Sequence, residues 1–254
     1  KPFRPVHSAL WDAKARVGEI DASNVSTQIM CATPVMFAYD APAEQAAYVA
    51  ATYNDLALEM CAESGGRLKA LAQVPLQDAS LSMKELSRAM RAGCVGVQIG
   101  NHVGPREMDD EGTVRFLAHC AAEGAAVLVH PWDMLGGERL KRWMSAWTVA
   151  MPAETQFGIM AMILGGAFDR LPRDLRICFA HGGGGFPYLL GRLENAWHRR
   201  DIVRGVSKYP PSHYLDRFSV DSAVFDPRAL RLLIDTMGAS RVMIGSDAPF
   251  PLGE

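Results

Sequence analysis

Val242-Met243-Ile244-Gly245-Ser246-Asp247 is an apolar run that stops at a carboxylate. Two earlier runs stop in the same way at a histidine: Val127-Leu128-Val129-His130 and Ile177-Cys178-Phe179-Ala180-His181. Short apolar runs of this kind are typical of buried strands. Strands that repeatedly end at an imidazole or a carboxylate favour a parallel β/α barrel, because the active site of that fold lies at the carboxyl ends of its strands.

The rest of the chain alternates strand-like and helix-like segments, which predicts a parallel sheet with crossover helices. Strands are expected near residues 27–31, 68–75, 94–99, 125–130, 176–181, 218–221 and 241–247. Helices are expected over residues 43–62, 81–91, 111–123, 153–168, 188–197 and 227–237. Asp226-Pro227 predicts a capped helix start, and Gly93, Gly124 and Gly238 each predict a helix end.

A closed barrel of this type has eight strands, whereas the pattern predicts one fewer. We therefore predict an α/β fold, a (β/α)8 TIM barrel, with its first strand missing ahead of Lys1 and with the chain incomplete at both ends. Residues 1–254 are expected to form a single metal-dependent domain, since single barrels commonly have this length. An open seven-stranded sheet is the alternative.

The composition is that of an ordinary globular protein, with 49% hydrophobic residues, 21% charged residues and a net charge of −2. The chain has no basic block, so nucleic acid and anionic membranes are not expected as partners. It also lacks an apolar run of the roughly eighteen residues that would predict a transmembrane helix. The five cysteines are widely spaced without a C-x-x-C pair, which predicts reduced thiols in a cytoplasmic protein.

His130 and His181 each have a neighbour that suits a site. Pro131 follows His130 and cannot continue the strand ladder, which leaves the imidazole at the barrel mouth. The loop Gly182-Gly183-Gly184-Gly185 follows His181, and a substrate or metal can approach such a backbone closely. Taken singly, His130 could instead be a hydrogen-bonded structural residue, and the glycine loop after His181 could be a flexible turn or a phosphate cradle, although the chain has no G-x-x-x-x-G-K pattern.

Asp247 ends a strand that is expected to be buried. Its carboxylate must be ion-paired, hydrogen-bonded or bound to a metal, because an unpaired buried charge is too costly. A structural ion pair explains Asp247 equally well by itself. Three strand ends with His, His and Asp together favour a divalent ion such as zinc, which accepts imidazole and carboxylate ligands.

The order of these groups, after the fifth, sixth and eighth strands if one strand is lost, resembles the decarboxylase branch of the amidohydrolase superfamily. The resemblance extends over residues 3–6, 31–37, 71–78, 98–102, 130–134, 150–155, 218–225 and 245–247. The family also carries a His-x-His pair at the end of its first strand, which this sequence lacks. The remaining histidines do not have that spacing and are expected mostly at the surface: His7, His102, His119, His198 and His213.

This resemblance implies a zinc ion held by His130 and Asp247, with two further histidine ligands expected upstream of Lys1. His181 would be the general acid and base. The implied reaction is the non-oxidative decarboxylation of a small dicarboxylate semialdehyde without an organic cofactor.

The resemblance also implies how the substrate is bound. Arg4 would hold one carboxylate, and Arg192 from the neighbouring subunit of a homodimer would hold the other. Trp132, Trp147 and Phe250 would line the pocket. Without the family, the two arginines read as solvated side chains and the aromatic residues as core packing.

Two other functions stay open at this stage. The same scaffold and ligands can support metal-dependent hydrolysis or deamination, because the pocket decides the reaction and the fold does not. A barrel that has lost its metal site and serves as a binding protein is the other possibility, since the His-x-His pair is absent.

Overall fold

The computed structural model describes residues 6–248 and residue 250. In chain order, its strands are β1 (Gln28–Met30), β2 (Leu68–Ala72), β3 (Gly96–Ile99), β4 (His102–Val103), β5 (Arg106–Glu107), β6 (Ala126–Val129), β7 (Arg176–Phe179), β8 (Ser219–Asp221) and β9 (Val242–Met243). Its helices are α1 (Ala13–Ala22), α2 (Ala43–Glu63), α3 (Ala79–Ala92), α4 (Glu111–Ala122), α5 (Met151–Leu164), α6 (Ala167–Arg170), α7 (Phe186–Arg199), α8 (Asp201–Arg204) and α9 (Pro227–Met237).

The main sheet is parallel, with the strand order β1-β2-β3-β6-β7-β8-β9. It curls as part of a barrel does, and the predicted α/β class with crossover helices is confirmed. Within the described residues β1 and β9 are its two edges. The eighth strand, and the treatment of residues 1–254 as one domain, stay predictions. Strands β4 and β5 form a separate antiparallel hairpin.

All seven predicted strands and all six predicted helices are present, with shifted ends. The predicted strand at 241–247 keeps only Val242–Met243, because the following residues leave the ladder and turn toward the site. Helix α1 was not predicted, since its apolar residues are weakly periodic. Its start nevertheless carries a signal that the sequence shows, because Asp12 accepts a hydrogen bond from the Ala15 amide.

The predicted helix ends are confirmed. Asp226 accepts hydrogen bonds from the Arg228 and Ala229 amides at the start of α9. Gly93 and Gly238 cap the ends of α3 and α9, and Gly124 directly follows the last residues of the α4 segment with a positive φ.

The core lies between the sheet and its helices. Val97, Val129, Phe179 and Val220 come from four neighbouring strands and have no exposed surface. Continuous apolar strands of this kind are expected where helices cover a parallel sheet. The five cysteines form no disulfide, as predicted. In the part of the chain that the structure describes, no helix combines the length and the apolarity needed to span a bilayer.

Candidate active site

Three of the predicted site residues meet at the carboxyl ends of the strands. His130 directly follows β6, His181 follows β7, and Asp247 follows β9. One potential ligand atom of each lies within 4.8 Å of the other two. The strand register brings the two histidines close, because Val129 lies opposite Phe179 and His130 is therefore level with Ala180, the residue before His181. Their rings meet edge to face, with centroids 4.9 Å apart.

The His130 ring is partly buried and held by its own loop. Its Nδ1 lies 3.0 Å from the carbonyl oxygen of Pro131, which can only accept, so Nδ1 carries the hydrogen and Nε2 keeps its lone pair. Burial, followed by the neighbouring His181, lowers the pKa of His130 to about 3. The imidazole is therefore neutral at physiological pH, which is the form that binds metal ions.

The His181 ring carries an unsatisfied nitrogen. Its Nδ1 is buried and has no hydrogen-bond partner among the described residues. The backbone of His181 is left-handed, with φ +55°. The loop that follows lies tightly against α5, because a Cβ on Gly184 would stand 1.8 Å from the Pro152 carbonyl oxygen. The glycine loop was expected to let a substrate or metal approach its backbone. At Gly184 the group that lies close is instead the chain's own Pro152 carbonyl oxygen.

The end of β8 ties the His181 and Asp247 loops together. The Asp221 carboxylate accepts a hydrogen bond from the Gly182 amide at 2.9 Å. The Ser222 hydroxyl accepts from the Gly245 amide at 3.2 Å and lies 3.3 Å from the Gly245 carbonyl oxygen, to which it donates. One short segment therefore fixes the backbone beside both His181 and Asp247.

This donor set fits a divalent ion. Two imidazoles and one carboxylate provide borderline nitrogen and oxygen ligands, one imidazole is held neutral, and one buried ring nitrogen has no partner in the part of the chain that the structure describes. An unsatisfied buried polar atom usually indicates a missing ion, water or ligand. The third donor is His181, for which the family resemblance implies proton transfer.

The remaining predicted site residues are three aromatic residues and two arginines. Trp132 and Trp147 are partly buried on the segment between β6 and α5, and Phe250 is partly buried beyond Asp247. Arg192 is exposed on α7. Arg4 lies outside the described residues.

Sequence reasoning missed three polar residues behind the site. Asn101 and Glu154 are 0% and 3% exposed, and the side chain of His102, which was expected at the surface, is only 10% exposed. These residues lie in segments 98–102 and 150–155, which resemble the family. The contact between Asn101 and Glu154 could not be predicted, because the two residues are 53 positions apart and such a pair leaves no local signal in the sequence.

Comparison with known proteins identifies the scaffold. The family model described as Amidohydrolase matches residues 8–254. The chain belongs to the amidohydrolase family. This membership agrees with the strand-end His, His and Asp.

Curated relatives of the chain are decarboxylases. It is 40% identical over 256 residues to the 2-amino-3-carboxymuconate-6-semialdehyde decarboxylase of Dictyostelium discoideum, a match that covers 100% of this chain and 71% of the relative. It is 30% identical over 305 residues to the enzyme of the same name from Caenorhabditis elegans, covering 100% of this chain and 76% of that one.

Two solved structures share this fold, and one of them is a decarboxylase. The apo IDCase of Metarhizium anisopliae superposes with a TM-score of 0.86 at 26% identity, covering 98% of this chain and 69% of that one. A dihydroxybenzoic acid decarboxylase from Polaromonas, with bound manganese and 2-nitroresorcinol, has a TM-score of 0.82 at 25% identity, covering 94% and 75%. With its relatives, this amidohydrolase is a metal-dependent decarboxylase.

Proposed function

We propose that this amidohydrolase converts 2-amino-3-carboxymuconate 6-semialdehyde to 2-aminomuconate 6-semialdehyde, with zinc as its metal, in tryptophan and kynurenine catabolism or 2-nitrobenzoate-type aromatic catabolism. The observation that carries the substrate is the 40% identity across the whole chain to the Dictyostelium enzyme. The polar cluster of His130, His181 and Asp247 supports the reaction class. Five unpaired cysteines support a cytoplasmic location.

In this proposal His130 and Asp247 hold the metal. When bound, a divalent ion makes a water acidic enough to lose a proton near neutral pH. His181 would accept a proton from water and deliver it to the substrate carbon as the bond to the departing carboxylate breaks; carbon dioxide leaves and the hydroxide takes up a proton from solvent, so the net change replaces the carboxylate by hydrogen. The buried Nδ1 of His181, which has no partner among the described residues, is free for such a transfer. The His130–Pro131 hydrogen bond keeps the His130 lone pair directed away from its own loop.

We assign substrate binding to two arginines and three aromatic side chains. Arg4 and the neighbouring subunit's copy of Arg192 would hold the two carboxylates, since guanidinium groups bind carboxylates through paired hydrogen bonds. Trp132, Trp147 and Phe250 would line the pocket.

A homodimer is part of the proposal. Arg192 is exposed one helical turn after Tyr188, which is 80% exposed, so the two lie on the same face of α7. Phe157 of α5 is a further large apolar side chain that is 45% exposed. An exposed tyrosine beside an arginine is the composition that interfaces between protein subunits favour.

The function is tested by incubating the zinc-loaded and manganese-loaded enzymes with 2-amino-3-carboxymuconate 6-semialdehyde and measuring carbon dioxide and ammonia. We expect carbon dioxide alone, and its loss after chelation of the metal. Ammonia release would instead make the chain a deaminase. Faster turnover of a dihydroxybenzoic acid would assign the substrate to the aromatic acids, and turnover only with manganese would exclude zinc.

Mixing two inactive variants tests the shared site. Arg4→Ala and Arg192→Ala proteins are each expected to be nearly inactive. After subunit exchange, half of the dimers are mixed and each carries one intact site, so the mixture should recover about a quarter of the wild-type rate.

Arg199→Ala is the matched control, because Arg199 is also exposed on α7. We expect it to keep the wild-type rate. A mixture that stays inactive, although subunit exchange is demonstrated and both variants hold metal, would contradict the contribution of Arg192 across the interface.

A further inference from the structure

Glu154 is a buried carboxylate that the proposed reaction does not use. It lies in the first turns of α5 and is 3% exposed. Its Oε1 accepts a hydrogen bond from the Leu135 amide at 2.8 Å, and its Oε2 accepts one from Asn101 Nδ2 at 2.9 Å. A buried charge is costly and persists only where hydrogen bonds compensate it. The carboxylate thus joins α5 to the loop after β6 and to the segment after β3.

Asn101 continues this connection to the start of the same loop. Its side chain also lies 3.1 Å from the Glu154 carbonyl oxygen, to which Nδ2 donates, while its Oδ1 accepts from the Trp132 amide at 3.2 Å. Helix α5 approaches Asn101 closely because residue 158 is a glycine, whose Cβ would lie 3.1 Å from the Asn101 Cβ. Asn101 itself is completely buried.

His102 adds a third contact. Its Nε2 lies 3.2 Å from the Asp133 carbonyl oxygen and 3.8 Å from Glu154 Oε2, and its Nδ1 lies 2.8 Å from the Gly104 carbonyl oxygen. Two backbone carbonyl oxygens therefore lie within hydrogen-bonding distance of the His102 ring, one at each nitrogen. We call Asn101, His102 and Glu154 the buried brace.

The buried brace contacts the loop that orients the His130 ring. It contacts the backbone of residues 132, 133 and 135, and the residue immediately before them is Pro131. The Pro131 carbonyl oxygen is the acceptor that orients the His130 ring. Partners of this indirect kind fix the tautomer and direction of a ligating histidine.

We propose that Glu154 is a positioning residue of this decarboxylase, acting with Asn101 and His102 to set the backbone of residues 131–135 and, through Pro131, the direction of the His130 imidazole. The inference rests on the proposed role of His130. This role also accounts for segments 98–102 and 150–155. Both segments resemble the family, although the proposed reaction uses no residue in them.

The test compares Glu154→Gln with Glu85→Gln in the full chain. Glu85 is the matched control, because it is a buried carboxylate, 7% exposed, that accepts a hydrogen bond from Asn54 Nδ2 at 2.7 Å, between α2 and α3. For Glu154→Gln we expect about 10–100-fold weaker metal binding. We also expect faster hydrogen exchange of the amides of residues 132–135, and a raised KM, since the same loop carries Trp132.

Asn101→Ala provides a second route if Glu154→Gln does not fold, and the same changes are expected. Glu85→Gln should alter thermal stability only. The proposal is overturned if the Glu154 and Glu85 variants change metal affinity and loop exchange to the same extent, or if neither changes them. Metal affinity and hydrogen exchange need no substrate, so a wild-type enzyme inactive on the proposed semialdehyde would refute that substrate without removing this test.

Discussion

Replacing His181 by alanine is expected to lower kcat by about 10²–10⁴-fold, the usual contribution of a general acid and base, while the bound metal stays at the wild-type amount. The reason is the division of labour proposed for the cluster, in which His130 and Asp247 are ligands and His181 moves protons. The test separates a proton-transfer role from a ligand role. One potential ligand atom of His181 lies within 4.8 Å of both proposed ligands, so the position of His181 is compatible with either role. Metal content and kcat are measured on the same preparation.

His181→Asn is the variant that controls for the backbone. His181 has a φ of +55°, and asparagine tolerates this left-handed conformation better than most residues do. The asparagine protein should fold like the wild type, keep its metal and still show the loss in kcat. Parallel loss of metal and activity in both variants would make His181 a ligand and refute its assignment to proton transfer.

Asp247→Ala is expected to lose the metal itself, and with it almost all activity. A ligating carboxylate supplies both a donor atom and the negative charge that balances a divalent ion. Asp247→Asn should bind metal more weakly than the wild type, because it keeps an oxygen donor and a residue type suited to the φ of +55° but removes the charge. Metal content after dialysis, and the metal concentration that restores half of the activity, measure both effects.

A destabilised protein with an intact site separates folding from metal loss. Asp226→Ala removes the cap of α9 and should cost about 1 kcal/mol of unfolding free energy while the metal stays bound. An Asp247→Ala protein that keeps stoichiometric metal and normal kcat would show that Asp247 is structural.

The centre of the site could be predicted because its signals are local. His130, His181 and Asp247 each follow a short apolar run, and the carboxyl ends of parallel strands meet on one face. The helix ends were also local, as the cap at Asp226 shows. The division of roles within the cluster was not readable from spacing, since it came only from the family resemblance.

The surroundings of the site could not be predicted because they depend on tertiary contacts. Asn101 and Glu154 are separated by 53 positions, and each looks like an ordinary surface amide or acid in sequence. His102 likewise resembles a solvated histidine in sequence, but in the fold its ring lies beside Asp133 of the loop after β6 and Glu154 of α5. Helix α1 was not predicted for a different reason, because its apolar residues do not recur with a clear helical period.

The left-handed backbone at His181 and Asp247 has a consequence for the evolution of the enzyme. Each such residue is strained by about 1–3 kcal/mol, which stability elsewhere in the fold has to offset. Glycine would relieve the strain at both positions, but it would remove the imidazole and the carboxylate. Selection for thermal stability and selection for turnover therefore act in opposite directions at the same two codons. A screen that rewarded stability alone would be expected to enrich glycine there and to yield robust, inactive proteins.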